Sequence, residues 1–310
     1  MKERAVKLIR NKYIAVICAV LCTLLWGTAF PLIKYDYAQF NITDKDVGSM
    51  VLFAGVRFIL AGLMAFIIGI CINPKSMMIK RENIFFIGSL GFVQTFMQYF
   101  FSAVGVGMTT ATNTSIITGA TSLVSVIMAG IFFASDRLNF TKIIGCVIGF
   151  AGIILINIAG MSFGGINIAG DIIVLISTFC GAGGNIITKK AGKISPFMIT
   201  AWQLTFGGVC LTALGIAIGG TIDFTNLLGM GIILWLAFVS SVSFMLWTVL
   251  LKYHQVSKIA VFNMLVPIFG TVISGLLLGE NIFKPENLLA LILISLGIFL
   301  VNFKKMQDKK

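Results

Sequence analysis

The side chains able to do chemistry in this sequence are few, and they lie inside long apolar runs. Arg57 sits within the run Val47–Ile72. A buried guanidinium costs roughly 2.5–3.5 kcal/mol on membrane-insertion scales, so it must face protein or water. Its planar fork of donors suits a substrate carboxylate or phosphate; the alternative is an internal tie to carbonyls or glutamines of neighbouring helices. Gln94, Gln98 and Tyr99 follow, and the i, i+4 spacing puts both glutamines on one helical face. Asn113, Thr114, Ser115 and Thr118 open the next run with the same polar character, and the short turn Gly105–Thr112 makes the two runs a hairpin.

The second half repeats this mixture. Asn185 follows Gly181-Ala-Gly-Gly184, a weakly helical stretch that is either a hinge or a tight packing face. Trp202 and Gln203, then Ser240, Ser241, Ser243 and Trp247, then Asn263 and Pro267, occupy the following runs. Pro267 frees a backbone carbonyl beside Asn263, which is either a ligand-binding feature or a plain kink. Trp26 lies too deep for an interfacial belt residue and either walls a cavity or packs. The candidate substrate-binding set is therefore Trp26, Arg57, Gln94, Gln98, Tyr99, Asn113, Asn185, Trp247 and Asn263. Pro267, Asp136 and Glu280 are candidates for gating or helix kinking, the two acids alternatively capping hairpins.

Catalysis needs a nucleophile with a base, paired acids or metal ligands. No Asp or Glu falls deep in an apolar run, and the lone His254 lies in a basic loop, read as solvated. The chain is thus expected not to be an enzyme and to hold no metal or cofactor. For the same reason proton coupling has no evident carrier group, and facilitated diffusion or exchange stays open.

The elements that must position these residues follow from composition. The chain is 58% hydrophobic and 11% charged, with a mean hydropathy of +1.02, against about a quarter charged in soluble domains. A bilayer core about 30 Å thick needs roughly 20 apolar residues. Ten runs meet that need, near Tyr13–Ile33, Val47–Ile72, Asn83–Val106, Ala111–Ser135, Thr141–Ala159, Gly170–Thr188, Ser195–Gly219, Gly229–Leu251, Val256–Gly279 and Glu286–Phe303. Pro31 is expected to bend or stop the first helix. That first run is long enough to be a retained span rather than a cleaved signal. The six cysteines fall in or at the ends of runs and imply neither disulfides nor a zinc site. The pairs Gly145/Gly149, Gly215/Gly219 and Gly275/Gly279 are expected to let helices approach closely.

The net charge of +12 is explained by where it sits. All Lys and Arg except Lys34, Lys45, Lys284 and Arg57 fall in the N-terminal tail, alternate loops and the C-terminal tail, while Asp36, Asp44, Asp46, Asp171, Asp223, Glu280 and Glu286 fall on the other side. The positive-inside rule then puts both termini in the cytoplasm, with the chain multi-pass in the cell membrane. With the basic charge so accounted for, nucleic acid is not an expected partner; the lipid bilayer and a small-molecule substrate are.

The stretch Ala260–Asn302 echoes Ile116–Asn157: Glu280 answers Asp136, and Gly297 and Asn302 answer Gly152 and Asn157. The expected fold is an all-α polytopic membrane protein, ten transmembrane helices in two repeats at 1–160 and 165–303, with a basic tail at 304–310. Five crossings per repeat is odd, so the halves must be inverted about an axis in the membrane plane, the geometry of alternating access.

The pattern resembles the EamA branch of the drug/metabolite transporter superfamily. The resemblance rests on Trp26-Gly with Phe30 and Lys34, Arg57-Phe58, Gly170-Asp171, Ala201-Trp202-Gln203, and Val266-Pro267 leading to Leu278-Gly279-Glu280. It covers nearly the whole chain and implies ten helices, a central cavity, and export or uptake of small metabolites such as amino acids. Leu123 stands where the family often has Pro, and Asp136 where it often has Glu, so the cavity need not be symmetric. The expected function is a secondary transporter exporting amino acids or related metabolites. A multidrug or lipophilic-compound efflux carrier is the alternative, ahead of a channel or a membrane scaffold.

Overall fold

A computed structural model describes residues 3–43, 45–108, 117–158, 168–278 and 285–303. Helix α1 (Glu3–Arg10) leads into α2 (Lys12–Gln39), whose start is capped by the Asn11 side chain accepting from the Tyr13 N–H at 2.9 Å. Asp46 caps α3 (Val47–Ile72) in the same way through the Ser49 N–H. The next rod has three parts: α4 (Ile84–Leu90), a π-helical segment Gly91–Met97, and α5 (Gln98–Met108). Then come α6 (Thr121–Phe132), α7 (Phe140–Ile158), α8 (Ile168–Lys190), α9 (Pro196–Ala217) and α10 (Leu227–Tyr253). A short α11 (Val256–Ala260), a 3-10 turn Val261–Met264 and α12 (Leu265–Leu278) form another broken rod, and α13 (Pro285–Asn302) closes the described chain.

Six of these stretches are long and apolar enough to cross a membrane: Lys12–Gln39, Val47–Ile72, Arg81–Gly105, Ile168–Lys190, Pro196–Ala217 and Leu227–Tyr253. Ile117–Phe132, Phe140–Leu155, Val256–Gly270 and Leu288–Asn302 are equally apolar but shorter. The chain is a multi-pass α-helical membrane protein. The shorter stretches differ from the expected full-length runs where their flanks fall outside the described residues.

Helices pair across the two halves of the sequence. α3 packs along α9, and α7 along α13. Gly55 and Gly62 of α3 meet Thr212 and Thr205 of α9 so closely that a Cβ would collide, and Gly145 and Gly152 of α7 do the same against α13. Gly215 packs on Leu52 as a small-residue contact, whereas Gly219 has no such neighbour and instead turns the chain after α9 with φ +85°. Gly279 lies outside the described residues. The packing α2 with α10 is matched by α5 with α8, and α2 with α12 by α6 with α8.

Two expectations about the first span are corrected. Pro31 does not stop it: α2 continues to Gln39. Proline costs the bond to the Gly27 carbonyl, but Leu32, Ile33, Tyr37 and Phe40 bury against Met50, Phe53, Ile233 and Leu236, and that apolar burial outweighs one lost bond. In consequence Asp36, which follows the end of the expected run Tyr13–Ile33, sits inside the helix with 0% of its surface exposed.

Candidate functional site

The middle of the bundle is crossed by a chain of aromatic rings linking both halves. Tyr99 of α5 lies 4.4 Å, centroid to centroid, from Phe58 of α3, which meets Phe244 of α10 edge-on at 6.2 Å. Phe244 meets Trp26 of α2 at 5.5 Å, and Trp26 meets Trp247 at 5.0 Å, both T-shaped. Trp26 thus links α2 and α10. The indole N–H of Trp247 donates to Asn185 Oδ1 at 3.1 Å, and Asn185 Nδ2 donates to Ser125 Oγ at 3.1 Å, extending the line to α8 and α6.

Arg57 joins this line from below the rings. Its guanidinium carbon lies 4.5 Å from the Phe58 centroid and 5.6 Å from that of Tyr99. The residue is 5% exposed, its Nε has no hydrogen-bond partner, and among the described residues no carboxylate pairs with it. A cation held on two aromatic faces with donors unused can accept an anionic group.

Gln94 and Gln98 share a face, as their spacing requires, and that face lies on α8. A Cβ added at Gly184 would meet the Gln94 side chain, and one at Gly181 the Gln98 amide. The glycine stretch is therefore a packing face that receives the glutamines. Gln94 falls in the π-helical segment, a feature frequent at functional sites because one extra residue shifts the side-chain register. Asn263 stands in the 3-10 turn and Pro267 in the first turn of α12, where its missing N–H leaves the helix intact. Buried polar atoms without a protein partner include Gln94 Oε1, both amide atoms of Gln203, the hydroxyls of Ser241 and Ser243, and Asn263 Oδ1. Asn113 and Glu280 lie outside the described residues.

Asp136 belongs to a second, separate cluster at the end of the bundle where the basic loops gather. It is 2% exposed in a 3-10 turn between α6 and α7. Lys142 Nζ donates to its Oδ1 at 2.6 Å and to the Asp136 and Arg137 carbonyls at 3.1 Å. The Ser257 N–H donates to Oδ2 at 2.9 Å, and the Ser257 hydroxyl donates to Oδ1. Gln255 Nε2 donates to the Ser135 carbonyl beside it. Asp136 therefore organises its own hairpin and also grips the start of α11 from the other half. Nearby, Lys189 Nζ donates to the His254 carbonyl at 2.6 Å, and Lys252 Nζ to that of Ile194 at 2.8 Å. His254 is half-buried rather than solvated, its Nε2 2.8 Å from the Ile9 carbonyl.

Phe244 and Ser125 complete the central layer and were legible only in part. Phe244 stands three residues before Trp247, and Ser125 continues the stripe Thr118–Ser122, so each lies on a face already marked by a candidate. Among the described residues no group of three or more His, Cys, Asp and Glu side chains is placed to hold a metal ion.

The EamA-like transporter family matches the chain twice, over residues 13–158 and 168–303. The Bacillus subtilis transporter YvbV is 29% identical over 298 residues, covering 92% of this chain and 90% of its own. A Salmonella typhimurium protein with the name "Probable amino-acid metabolite efflux pump" is 25% identical over 303 residues, covering 92% and 93%. A solved crystal structure superposes with a TM-score of 0.78 at 14% identity, over 94% of this chain and 97% of its own, and so shares the fold. With the family matched on both sides of the undescribed residues 159–167, the chain belongs to the EamA-like transporter family, within the drug/metabolite transporter superfamily.

Proposed function

We propose that this transporter exports small metabolites carrying an anionic group and an apolar part, amino acids or related compounds, across the cytoplasmic membrane by alternating access. The observation that carries the reading is the buried, carboxylate-free guanidinium of Arg57 against the Phe58 and Tyr99 rings. Arg57 anchors the anionic group, and Trp26, Phe244 and Trp247 take the apolar part. Gln94, Gln98, Tyr99, Asn185 and Asn263, with Asn113, supply the remaining polar contacts. The efflux-pump name of the Salmonella relative favours export and the amino-acid class.

Alternating access is supported by the symmetry of the packing. Exchanging the halves maps α3 onto α9 and α7 onto α13, so each pair maps onto itself, and it maps α2–α10 onto α8–α5. Ten spans in two inverted repeats would give such a contact pattern. The basic loops put the Asp136 cluster on the cytoplasmic side, where its grip on Ser257 closes the passage; Glu280 is its counterpart on the outer side.

The experiment is transport by purified protein in liposomes, offering a pooled mixture of amino acids and other metabolites and reading the lumen by mass spectrometry against empty liposomes. Selective, saturable accumulation of anionic or zwitterionic metabolites is expected. Transport confined to lipophilic cations would establish the multidrug alternative instead, since Arg57 would repel them.

A further inference from the structure

The candidate site leaves Asp36 unused, and its surroundings are unusual for a carboxyl group. It lies one turn before the end of α2, on the face shared by Ala29, Leu32, Ile33 and Phe40, which packs on α3 and α10. None of its surface is exposed, and neither Oδ1 nor Oδ2 has a hydrogen-bond partner.

The charged and titratable groups on the elements packed against α2 lie elsewhere or are already engaged. α12 has none; α10 carries Lys252 and Tyr253 only at the basic end, which α1 also faces. Arg57, on α3, lies on the Phe58 and Tyr99 rings. Asp46 caps α3, and the exposed Asp223 accepts from Thr225, whose hydroxyl and N–H hold that carboxylate below the usual range. On α2 itself Lys34 and Tyr35 are exposed, Tyr37 packs edge-on against Phe53 at 5.1 Å, and Lys12 and Tyr13 stand at the far end.

An ionised carboxylate buried without donors or a counter-charge costs several kcal/mol. A metal cation would relieve that cost only with several oxygen ligands around it, and these groups do not provide them. A proton needs the carboxyl group alone. We propose that Asp36 is a proton-binding group of the transport cycle, neutral in the packed arrangement seen here. It ionises when the end of α2 parts from α3 and α10, and takes its proton from the side opposite the basic end. The inference rests on the reading of the chain as a carrier. Pro31, a little over one turn earlier, leaves the Gly27 carbonyl without its helical donor and gives the terminal segment a place to bend. Because the packed arrangement holds one proton more than the parted one, acid on that side favours packing. Proton binding and release on that side are thereby linked to the conformational step that substrate export requires.

The test uses the full chain in liposomes, with Asp36→Asn and Asp36→Glu beside the wild type. Infrared spectra of the wild type at neutral pH are expected to show a protonated carboxylic acid that Asp36→Asn lacks; an identical acid signal in the variant overturns the proposal. One pH unit changes the ratio of protonated to ionised carboxyl by at most about tenfold. Acidifying that side is expected to change net transport severalfold in the wild type and in Asp36→Glu, but to leave Asp36→Asn at its rate without a pH difference, with substrate exchange retained. An equal gradient response in Asp36→Asn overturns the proposal. So does stimulation of the wild type by a sodium gradient and not by protons. A wild type that transports nothing would count against the carrier reading, while the infrared comparison would still decide whether Asp36 holds a proton.

Discussion

Two aspartates of this chain are buried to the same degree and could hardly be treated more differently. Asp136 is met by the Lys142 ammonium and by the hydroxyl and N–H of Ser257. Asp36 is met by nothing that can donate. Burial of a charge is tolerable when hydrogen bonds and a counter-ion replace water, so Asp136 can hold two halves of the chain together. The same side chain without those partners becomes a group whose charge state depends on how tightly its surroundings are packed. One carboxylate is therefore a fastener and the other a sensor.

The comparison breaks most visibly in stability. Replacing Asp136 with Ala leaves Lys142 buried beside an empty position, which is expected to cost about 3–5 kcal/mol, read as a large fall in the unfolding midpoint in detergent. Pairing Asp136→Leu with Lys142→Met removes both charges and is expected to recover most of that loss; a double variant as unstable as Asp136→Ala would mean the ion pair is not what the cluster provides. Arg57→Gln is next, acting on transport rather than on folding. Loss of a charged hydrogen-bond donor is worth about 1.5–3 kcal/mol, so apparent substrate affinity should weaken at least roughly tenfold. Trp247→Phe keeps a ring against Trp26 but strips the donor from Asn185, and about 1 kcal/mol of stability should go with it; an unchanged midpoint would show that the Asn185 link is not energetically coupled to the line of rings. The smallest effect sharpens the contrast most. Asp36→Asn is close in shape to the neutral acid and should move stability at neutral pH by no more than about 0.5 kcal/mol.

The helices were legible because each is a long apolar run, and Asp136 stood out because Glu280 answers it at the matching hinge of the echoing stretch. Its partner did not stand out. Ser257 is an ordinary serine at the start of an apolar run until folding brings it to a residue 121 positions earlier, and Lys142 looked like one more basic loop residue. Gln94 and Gln98, and the glycines at 181 and 184, were each conspicuous, yet nothing local says that one pair fills the space left by the other. Asp36 fell beyond the expected first run, but proline is an unreliable stop inside a membrane bundle, where neighbouring helices bury the segment beyond it. Arg57 was identified by its cost alone; its resting place on Phe58 and Tyr99 required the fold.

The most direct test of the carrier built around Arg57 is substrate counterflow in liposomes, comparing wild type with Arg57→Gln at equal, verified amounts of folded protein. The account predicts saturable exchange of an anionic or zwitterionic metabolite by the wild type, with exchange by the variant lower by at least about tenfold at a substrate concentration below KM. Exchange by Arg57→Gln with the wild-type affinity and rate would contradict it, and would return Arg57 to a purely structural role.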